Sequence, residues 1–204
     1  RRNTLSGLPY PMRRAMVRPG RDRLTGCVEV DETYIGGDEE DVRGRQTEKK
    51  AIVAIAVEVL EPKGFGRVRL RRIADCSASS LTPFVCDAIE PGSEVRTDGW
   101  LGYKQLAAKG YRHVQTVLAA QAEPAHVVMP AVHRIASLLK RWLLGTHQGA
   151  VSADHLDYYL DEYTFRFNRR KSRARGLLFY RLVEQAVEVA PVRYKQLVGG
   201  KPLA

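Results

Sequence analysis

Five stretches of the chain have the apolar patterns of β-strands. Cys27–Ile35 alternates apolar and polar side chains and is rich in β-branched residues, which is typical of a strand. Ala51–Val59 is continuously apolar, as in a central strand that is buried on both faces. Gly66–Ile73 alternates again and is expected to pair back on the preceding strand as a hairpin. Two shorter strands are predicted over Glu94–Thr97 and Tyr111–Leu118.

Helical patterns come between and after these strands. We predict that serines cap the first helix, that Gly110 stops the second and that Gly145 stops the third. In the last two helices, apolar residues recur at helical spacing and fall on one face. The four predicted ranges are Leu81–Ile89, Trp100–Lys109, Val132–Leu144 and Ala153–Asn168.

The order of the predicted elements indicates the fold class. An antiparallel meander followed by alternating strands and helices predicts an α/β protein with a mixed sheet flanked by helices. This order resembles the ribonuclease-H-like fold, in which the first and fourth strands are neighbours and each delivers one acid. We therefore expect a ribonuclease-H-like mixed sheet, made of a three-strand antiparallel meander plus two further strands.

We expect three segments along the chain. Residues 1–25 are predicted to form a basic lead-in with one short helix around Met12–Val17, residues 26–190 the ribonuclease-H-like domain, and residues 191–204 a C-terminal tail. The sequence does not begin with Met and has no secretory pattern, so we expect a fragment or a processed chain. No apolar run approaches the length of a membrane span, and we predict no membrane partner.

The chain is strongly basic. Its 33 Lys and Arg residues against 23 Asp and Glu residues give a net charge of +10. This excess predicts a polyanionic partner, with a basic enzyme that binds no nucleic acid as the alternative. The densest basic cluster is predicted to contact phosphates, with a solvated basic tail as the alternative. Its members are Arg166, Arg169, Arg170, Lys171, Arg173 and Arg175.

Cysteine spacing is informative about the compartment. Cys27, Cys76 and Cys86 show no C-x-x-C spacing and no even-numbered framework. This pattern is typical of a reducing cytosol and argues against a structural zinc site within this chain.

Two aspartates stand where predicted strands end. Asp31 lies before the turn at Gly36 and Gly37, and Asp98 directly follows its strand and precedes Gly99. At a strand tip, backbone pairing stops and side chains can converge. Two such tips side by side would hold a divalent cation through hard oxygen ligands. In a basic protein, a metal held in this way predicts a phosphodiester substrate.

Four motifs give the chain a family resemblance. Val28–Gly37 resembles the first catalytic motif of DDE-type transposases from a group of bacterial insertion sequences, the group with a VDETYIGG motif. Thr97–Tyr103 is similar to the second motif and Lys140–His147 to the third. Tyr159–Arg170 resembles the closing helix of that group, and together the motifs cover roughly Met12–Ala186.

The resemblance implies a transposase that catalyses metal-dependent DNA cleavage and strand transfer of its insertion sequence. Asp31 and Asp98 match the first two metal ligands, and two Mg²⁺ (or Mn²⁺) ions are expected. The implied partner is double-stranded DNA, both the element ends and the target, bound by a homodimer or larger assembly. The implied location is the bacterial cytoplasm, in association with the nucleoid.

The third ligand position departs from the pattern of that family. The family places Glu, or in some subgroups Asn, seven residues before a basic residue, and counting back from Lys140 gives His133. His133 is expected to bind a metal, orient a water or contact phosphate, with a solvent-facing histidine as the alternative. Glu162 is the nearest alternative acid, although pairing with Arg166 four residues on also explains it. Lys140 is expected to act at the site and, with Arg141, to contact DNA.

Two rival functions share these features. A ribonuclease H-type nuclease would have the same fold and metals, but would not need the arginine-rich closing helix. A catalytically decayed or repurposed transposase would only bind DNA, and the departure at His133 favours this alternative somewhat.

Overall fold

The structure is a computed structural model that describes residues 13, 15–17, 20–36, 50–62, 64–116, 128–147 and 153–188. The chain divides into two compact units: one is Asp22–Trp142, and the other combines Arg1–Arg21 with Leu143–Ala204. Two of the six residues of the helix predicted around Met12–Val17, residues 12 and 14, lie outside the described residues, and so does the whole predicted tail 191–204. The predicted segment boundaries at residues 25 and 190 stay predictions.

The first unit is built on a five-stranded mixed sheet. Its strand order is β3-β2-β1-β4-β5, in which β1, β2 and β3 are antiparallel neighbours, and β4 runs parallel to both β1 and β5. This is the predicted ribonuclease-H-like α/β arrangement, with the first and fourth strands side by side. The strands are β1 (Cys27–Ile35), β2 (Ala51–Val59), β3 (Phe65–Ile73), β4 (Glu94–Asp98) and β5 (Arg112–Thr116).

The continuous apolar run of β2 fits its place inside the sheet. Val53, Ile55 and Val57 are fully buried on one face, while Ala54 and Ala56 are fully buried on the other. Because side chains alternate along a strand, a strand covered on both faces requires apolar residues at every position. The predicted bounds of β1 and β2 are confirmed.

A helix covers one face of this sheet. This helix, α1 (Ala78–Ala88), buries Leu81, Phe84 and Val85 in the same cluster as Val28 and Val30 of β1. It begins three residues earlier than predicted.

The start of α1 differs in detail from the serine caps that the sequence predicts. The side chain of Ser77 makes no capping hydrogen bond to the helix. Instead, Asp75 Oδ1 accepts hydrogen bonds from the Ser77 backbone N–H at 2.9 Å and from the Ser80 hydroxyl at 2.8 Å. The acid thus organises the serines that precede and begin the helix.

The helix predicted over Trp100–Lys109 is wrong. This stretch forms two 3₁₀ helices, Leu101–Tyr103 and Ala107–Lys109, and ends at Gly110 with a left-handed φ of 86°. Tyr103 and Leu106 are both fully buried, and their spacing of three residues matches the three-residue turn of a 3₁₀ helix.

Three longer helices complete the described chain: α2 (Pro130–His147), α3 (Ala153–Asn168) and α4 (Arg175–Glu188). The bounds of α3 are those predicted. Helix α2 continues through Gly145, so the prediction that this glycine ends it is wrong, and α4 was not predicted. Within the described part of the chain, no helix is both long and apolar enough to cross a membrane.

Candidate active site

Asp31 and Asp98 lie at equivalent positions on neighbouring parallel strands. Strand β1 pairs with β4 in a register that matches Val28 to Val95 and Glu29 to Arg96. Continuing this register by two residues brings Asp31 opposite Asp98, where formal pairing has ended. Neighbouring strands are about 4.8 Å apart, so the two carboxylates start from adjacent backbone positions on one face of the sheet.

Each of these carboxylates is oriented by a local backbone group. Asp31 Oδ1 accepts a hydrogen bond from the Glu32 N–H at 2.9 Å, and Asp98 Oδ1 accepts one from the Trp100 N–H at 3.1 Å. Both side chains are half-buried. An ionised carboxylate has about four acceptor positions, so accepting a backbone N–H is compatible with binding a cation.

The face that carries both aspartates also carries an ordered set of charges. Cys27 and Glu94 are opposite each other in the first row, Glu29 and Arg96 in the second, and the aspartates follow in the third. Arg96 Nε donates to Glu94 at 2.7 Å, and this pair lies near the opposite end of the strands from the aspartates. The guanidinium of Arg96 is therefore paired with Glu94, towards the end of the strands that lies away from the aspartates.

Glu29 fastens the start of helix α2 to this face. Its side chain is only 2% exposed, and its Oε2 accepts a hydrogen bond of 2.9 Å from the Val132 backbone N–H. Burial raises the pKa of Glu29, while backbone hydrogen bonds from Val132 and Ala131 and the charges of Arg96 and His133 act in the opposite direction. A carboxylate at a helix N-terminus satisfies donors that have no partner within the helix.

Helix α2 carries the predicted third position. His133 is half-buried near the end of the helix that Glu29 holds, and Lys140 and Arg141 are exposed two turns further on. In the described part of the chain, no three His, Cys, Asp or Glu side chains lie close enough together to hold a metal ion. The structure therefore brings Asp31 and Asp98 together but does not complete a three-ligand set with His133, whose role as a ligand stays a prediction.

A buried tyrosine adjoins the aspartate pair. Tyr103 is fully buried, and its hydroxyl donates a hydrogen bond of 2.6 Å to Glu32 Oε1. Its pKa is raised well above the ordinary value, first by burial and then by the negative charges of Glu32, Asp31 and Asp98. Three carboxylates therefore act on a single hydroxyl group, which indicates a local concentration of negative charge.

This donor set fits a divalent cation. Carboxylate oxygens are the hard ligands that Mg²⁺ and Mn²⁺ prefer, and a cation would relieve the repulsion between Asp31 and Asp98. The register that sets Asp31 opposite Asp98 on one face of the sheet is the observation in this structure that supports the fit. An imidazole from His133 would suit Mn²⁺ better than Mg²⁺.

Comparison with known families identifies the chain. A sequence profile described as ISXO2-like transposase domain matches residues 23–168, more than two thirds of the chain, including both aspartates. The chain belongs to the family of ISXO2-like transposase domains. The prediction of a DDE-type transposase from its motifs is thereby confirmed, and so is the class of enzyme, a polynucleotidyl transferase or nuclease that acts on DNA.

This transposase domain is also similar to a solved structure. That structure is the catalytic core domain of BIV integrase, with 14% sequence identity and a TM-score of 0.47, over 80% of this chain and 97% of that one. No match was found among curated proteins.

Glu162, the alternative third ligand, is part of an ion-pair network in the second unit of the transposase. It is 3% exposed, and its Oε2 accepts a hydrogen bond of 2.9 Å from Arg13 Nε. Its Oε1 accepts one of 2.9 Å from Arg166 Nε. The predicted pairing with Arg166 is confirmed. Removing a carboxylate that neutralises two arginines would leave buried charge behind, so these contacts favour a structural role.

The predicted phosphate-binding residues of the transposase lie around the junction of α3 and α4. All are exposed except Arg169, which is half-buried. The Arg169 guanidinium lies 4.0 Å from the ring centroid of Phe165, and that of Arg170 lies 3.9 Å from the ring centroid of Phe167. Such stacking holds cations in fixed positions without neutralising them. Tyr163 is 7% exposed and stacked on Phe167, so it belongs to the core.

Sequence reasoning missed two residues of the site. Glu29 lies two residues before Asp31, and this even spacing places it on the same face of β1. Tyr103 ends the second motif, Thr97–Tyr103, but the helix predicted over this stretch did not indicate that its side chain would reach Glu32. The alternation of β1 is the signal that could have found Glu29, whereas only the fold brings Tyr103 next to Glu32.

Proposed function

We propose that this transposase domain cleaves DNA at the ends of an insertion sequence and joins those ends to a target, with Asp31 and Asp98 as its principal metal ligands. The observation that carries the proposal is their shared level on neighbouring parallel strands, with Asp31 in the middle of β1 and Asp98 at the end of β4, within the part of the chain that matches the family. In cleavage, the bond from phosphorus to the leaving 3′ oxygen breaks as a water oxygen bonds to phosphorus. In strand transfer, the freed 3′-OH takes the place of that water.

The chain's own groups have separate tasks in this scheme. Asp31, Asp98 and, as third ligand, His133 would hold two Mg²⁺ or Mn²⁺ ions. Bound there, such ions lower the pKa of a water and stabilise the charge on the leaving oxygen. Glu32 follows Asp31 in β1 and points to the opposite face of the sheet, where its 2.6 Å hydrogen bond from Tyr103 helps to hold this part of the strand in place.

The basic residues supply the DNA contacts in this proposal. Exposed Lys140 and Arg141 on α2 would bind phosphates of the DNA being cut. The cluster from Arg166 to Arg175 would bind further phosphates and add to the salt dependence of binding. The catalytic domain would span residues 26–190, with 1–25 as a basic lead-in and 191–204 as a tail.

The proposed substrate and setting follow from the reaction. Double-stranded DNA would serve both as element end and as target. A homodimer or larger assembly is proposed because two ends must be held together for joining. We place this activity in the bacterial cytoplasm at the nucleoid, since that is where an insertion sequence and its target are found.

A second candidate function is DNA binding without catalysis. The observation that favours it is that the described residues contain no assembled three-ligand cluster. In that case the domain would be a decayed or repurposed transposase, whose basic residues are intact and whose metal site is not.

The two functions are separated by conservative aspartate variants. Asp31→Asn and Asp98→Asn remove charge with almost no change of shape, and each is expected to lower strand transfer of a labelled element end by about 100-fold or more. Binding of the same DNA, measured by mobility shift, should stay within about 2-fold, because most affinity comes from phosphate contacts.

Asp87→Asn is the matched control. This carboxylate is 60% exposed and pairs with Arg71 at 3.0 Å on the surface. Near wild-type joining by Asp31→Asn or Asp98→Asn would refute the assignment of these ligands. DNA binding by the wild type without any joining, in Mg²⁺ or in Mn²⁺, would support the second candidate.

A further inference from the structure

A cavity of about 440 Å³ lies in the second unit, between the end of α3 and the start of α4. Its apolar lining includes Met16, Phe165, Leu178 and Leu182. Met16 and Leu182 are buried in one small cluster, against which Phe165 packs. The floor therefore belongs to the packed interior of this unit, while Phe179, which is 64% exposed, forms a wall beside it.

The remaining lining of the cavity is basic. It is provided by Ser172 and four arginines: Arg166, Arg169, Arg170 and Arg175. No acidic side chain is among the described residues that line it, and Glu162, the nearest acid along α3, is bound to Arg13 and Arg166. An apolar cavity surrounded by guanidinium groups suits a ligand with a flat apolar part and negative charges next to it.

The aromatic side chains add a geometric requirement. Arg169 already lies over the Phe165 ring, and Phe179 presents a second ring at the same cavity. Aromatic rings that meet prefer offset-stacked or edge-to-face arrangements, which a planar ring of a ligand could adopt here. A volume of 440 Å³ is at the lower end of the range for ligand sites, so it suits one ring system with its linker.

Single-stranded DNA meets these requirements better than an acidic peptide does. Each of its nucleotides carries a planar base and a phosphate at a fixed spacing, whereas a peptide would need a particular order of aromatic and acidic residues. Grooves that bind single strands combine aromatic stacking positions with cations along the backbone. Family membership already makes DNA the partner of this chain.

We propose that the cavity between α3 and α4 binds one unpaired nucleobase of single-stranded DNA, with the base against Phe165 and Phe179 and its neighbouring phosphates on Arg169 and Arg175. The proposal rests on the proposed function, since it assumes that the transposase meets DNA whose strands are locally separated. It gives this part of the basic cluster a defined ligand, and it separates these arginines from those that only follow a duplex backbone.

The test measures binding of the full 204-residue chain to a single strand carrying one 2-aminopurine, and to the matching duplex, in metal-free buffer. We expect the fluorescence of 2-aminopurine to be quenched by the wild type. Phe179→Ala should abolish the quenching and weaken single-strand binding about 10-fold, with duplex binding unchanged. Arg175→Gln should lower the salt dependence of single-strand binding by about one ion.

Two substitutions on the same helix serve as matched controls. Val187 is 82% exposed and Arg181 is also exposed, and neither lines the cavity. Val187→Ala and Arg181→Gln are expected to bind both DNA forms like the wild type.

The outcomes distinguish failure of this inference from failure of the proposed function. Unchanged single-strand binding by Phe179→Ala, or an equal loss for both DNA forms, would overturn the base site while leaving duplex binding intact as a property of the chain. Displacement of the strand by an acidic, phenylalanine-containing peptide that binds more tightly would overturn it in favour of a protein partner. A wild type that binds neither DNA form would overturn the proposed function as well.

Discussion

Glu29 Oε2 accepts a hydrogen bond of 2.9 Å from the Val132 backbone N–H, and this contact joins the strand that carries Asp31 to the helix that carries His133. The two candidate ligands are thereby fixed to each other through one buried side chain. A substitution at Glu29 should consequently change the site even though Glu29 itself is buried.

We predict that Glu29→Ala lowers the free energy of unfolding by about 1–3 kcal/mol, because backbone donors at the start of α2 lose a buried acceptor. Strand transfer should fall as well. Glu29→Gln keeps one acceptor oxygen and should retain most of both properties. Chemical denaturation and a strand-transfer assay provide the measurements. Glu90→Ala, at an exposed carboxylate, is the control, and equal behaviour of Glu29→Ala and Glu90→Ala would contradict the prediction.

The metal preference tests His133. An imidazole nitrogen suits Mn²⁺ better than Mg²⁺, whereas a carboxylate suits both. We predict that His133→Glu raises the ratio of strand transfer in Mg²⁺ to that in Mn²⁺, and that His133→Ala lowers activity in either ion. Isothermal titration of each ion into the same variants gives an independent readout.

His147→Glu, at the last residue of the same helix, makes the same chemical change about four turns away from His133. If the activity ratio and the ion affinities are the same in the wild type, His133→Glu and His147→Glu, then His133 is not a ligand.

Gly102 is packed closely against Cys76 and Leu81. A Cβ atom there would lie 2.7 Å from the Cys76 carbonyl oxygen and 2.8 Å from Leu81 Cδ1. We predict that Gly102→Ala lowers the free energy of unfolding by about 1–3 kcal/mol, since the backbone of Cys76 cannot move aside cheaply. Thermal unfolding followed by circular dichroism measures the effect.

Gly145 gives a control of opposite sign. It lies inside α2, and among the described residues a Cβ atom added there would meet no heavy atom within 4 Å apart from its own helix backbone and chain neighbours, so Gly145→Ala is expected to stabilise the protein by about 0.5–1 kcal/mol. A neutral or stabilising effect of Gly102→Ala would show that this loop can shift.

Asp161 makes stability depend on pH. Burial, with a smaller contribution from Asp157, raises its pKa from 3.8 to about 7, although Arg21 acts in the opposite direction. Because the folded state holds this proton more tightly than the unfolded state, the free energy of unfolding should fall as pH rises from about 4 to about 7. Asp161→Asn removes the charge and should flatten that fall, with a higher Tm than the wild type at pH 8.

Asp157→Asn removes only a neighbouring charge and should move the midpoint of the fall to lower pH. Melting curves at several pH values between 4 and 8 check both variants. Identical slopes for the wild type and Asp161→Asn would contradict the assignment.

The periodic parts of this fold could be predicted from the sequence, whereas the locally ambiguous parts could not. Strands β1 and β2 have the predicted bounds because burial leaves a pattern in the sequence: apolar and polar residues alternate in β1, and β2, which is buried on both faces, is apolar throughout. The residues after Trp100 are good helix formers, and nothing local reveals that Gly102 must approach the Cys76 carbonyl. Helix α4 was missed because several of its apolar residues, including Phe179 and Val187, are exposed and form no clean stripe.

The candidate site divides in the same way. Asp98 ends β4, as the sequence predicts, but the prediction that Asp31 stands at a strand tip is wrong, because β1 continues to Ile35 and Asp31 pairs with Ile55. Glu29 could not be given its role, because its partner is a backbone N–H in a helix about 100 residues later, and hydrogen bonds of this kind leave no sequence signal. The ion pairing of Glu162 with Arg166 was accessible because its four-residue spacing is local, but the contribution of Arg13 was not.

The parallel pairing of β1 with β4 also determines when the aspartate pair comes into existence. During synthesis, β1, β2 and β3 can form a local meander first. Asp98 does not emerge from the ribosome until 67 residues after Asp31. Until β4 adds to the open edge of β1, a growing chain holds one aspartate without the other. Chains that end before Asp98 therefore cannot form the pair. Any activity that needs both carboxylates is restricted to chains in which four of the five strands have been made.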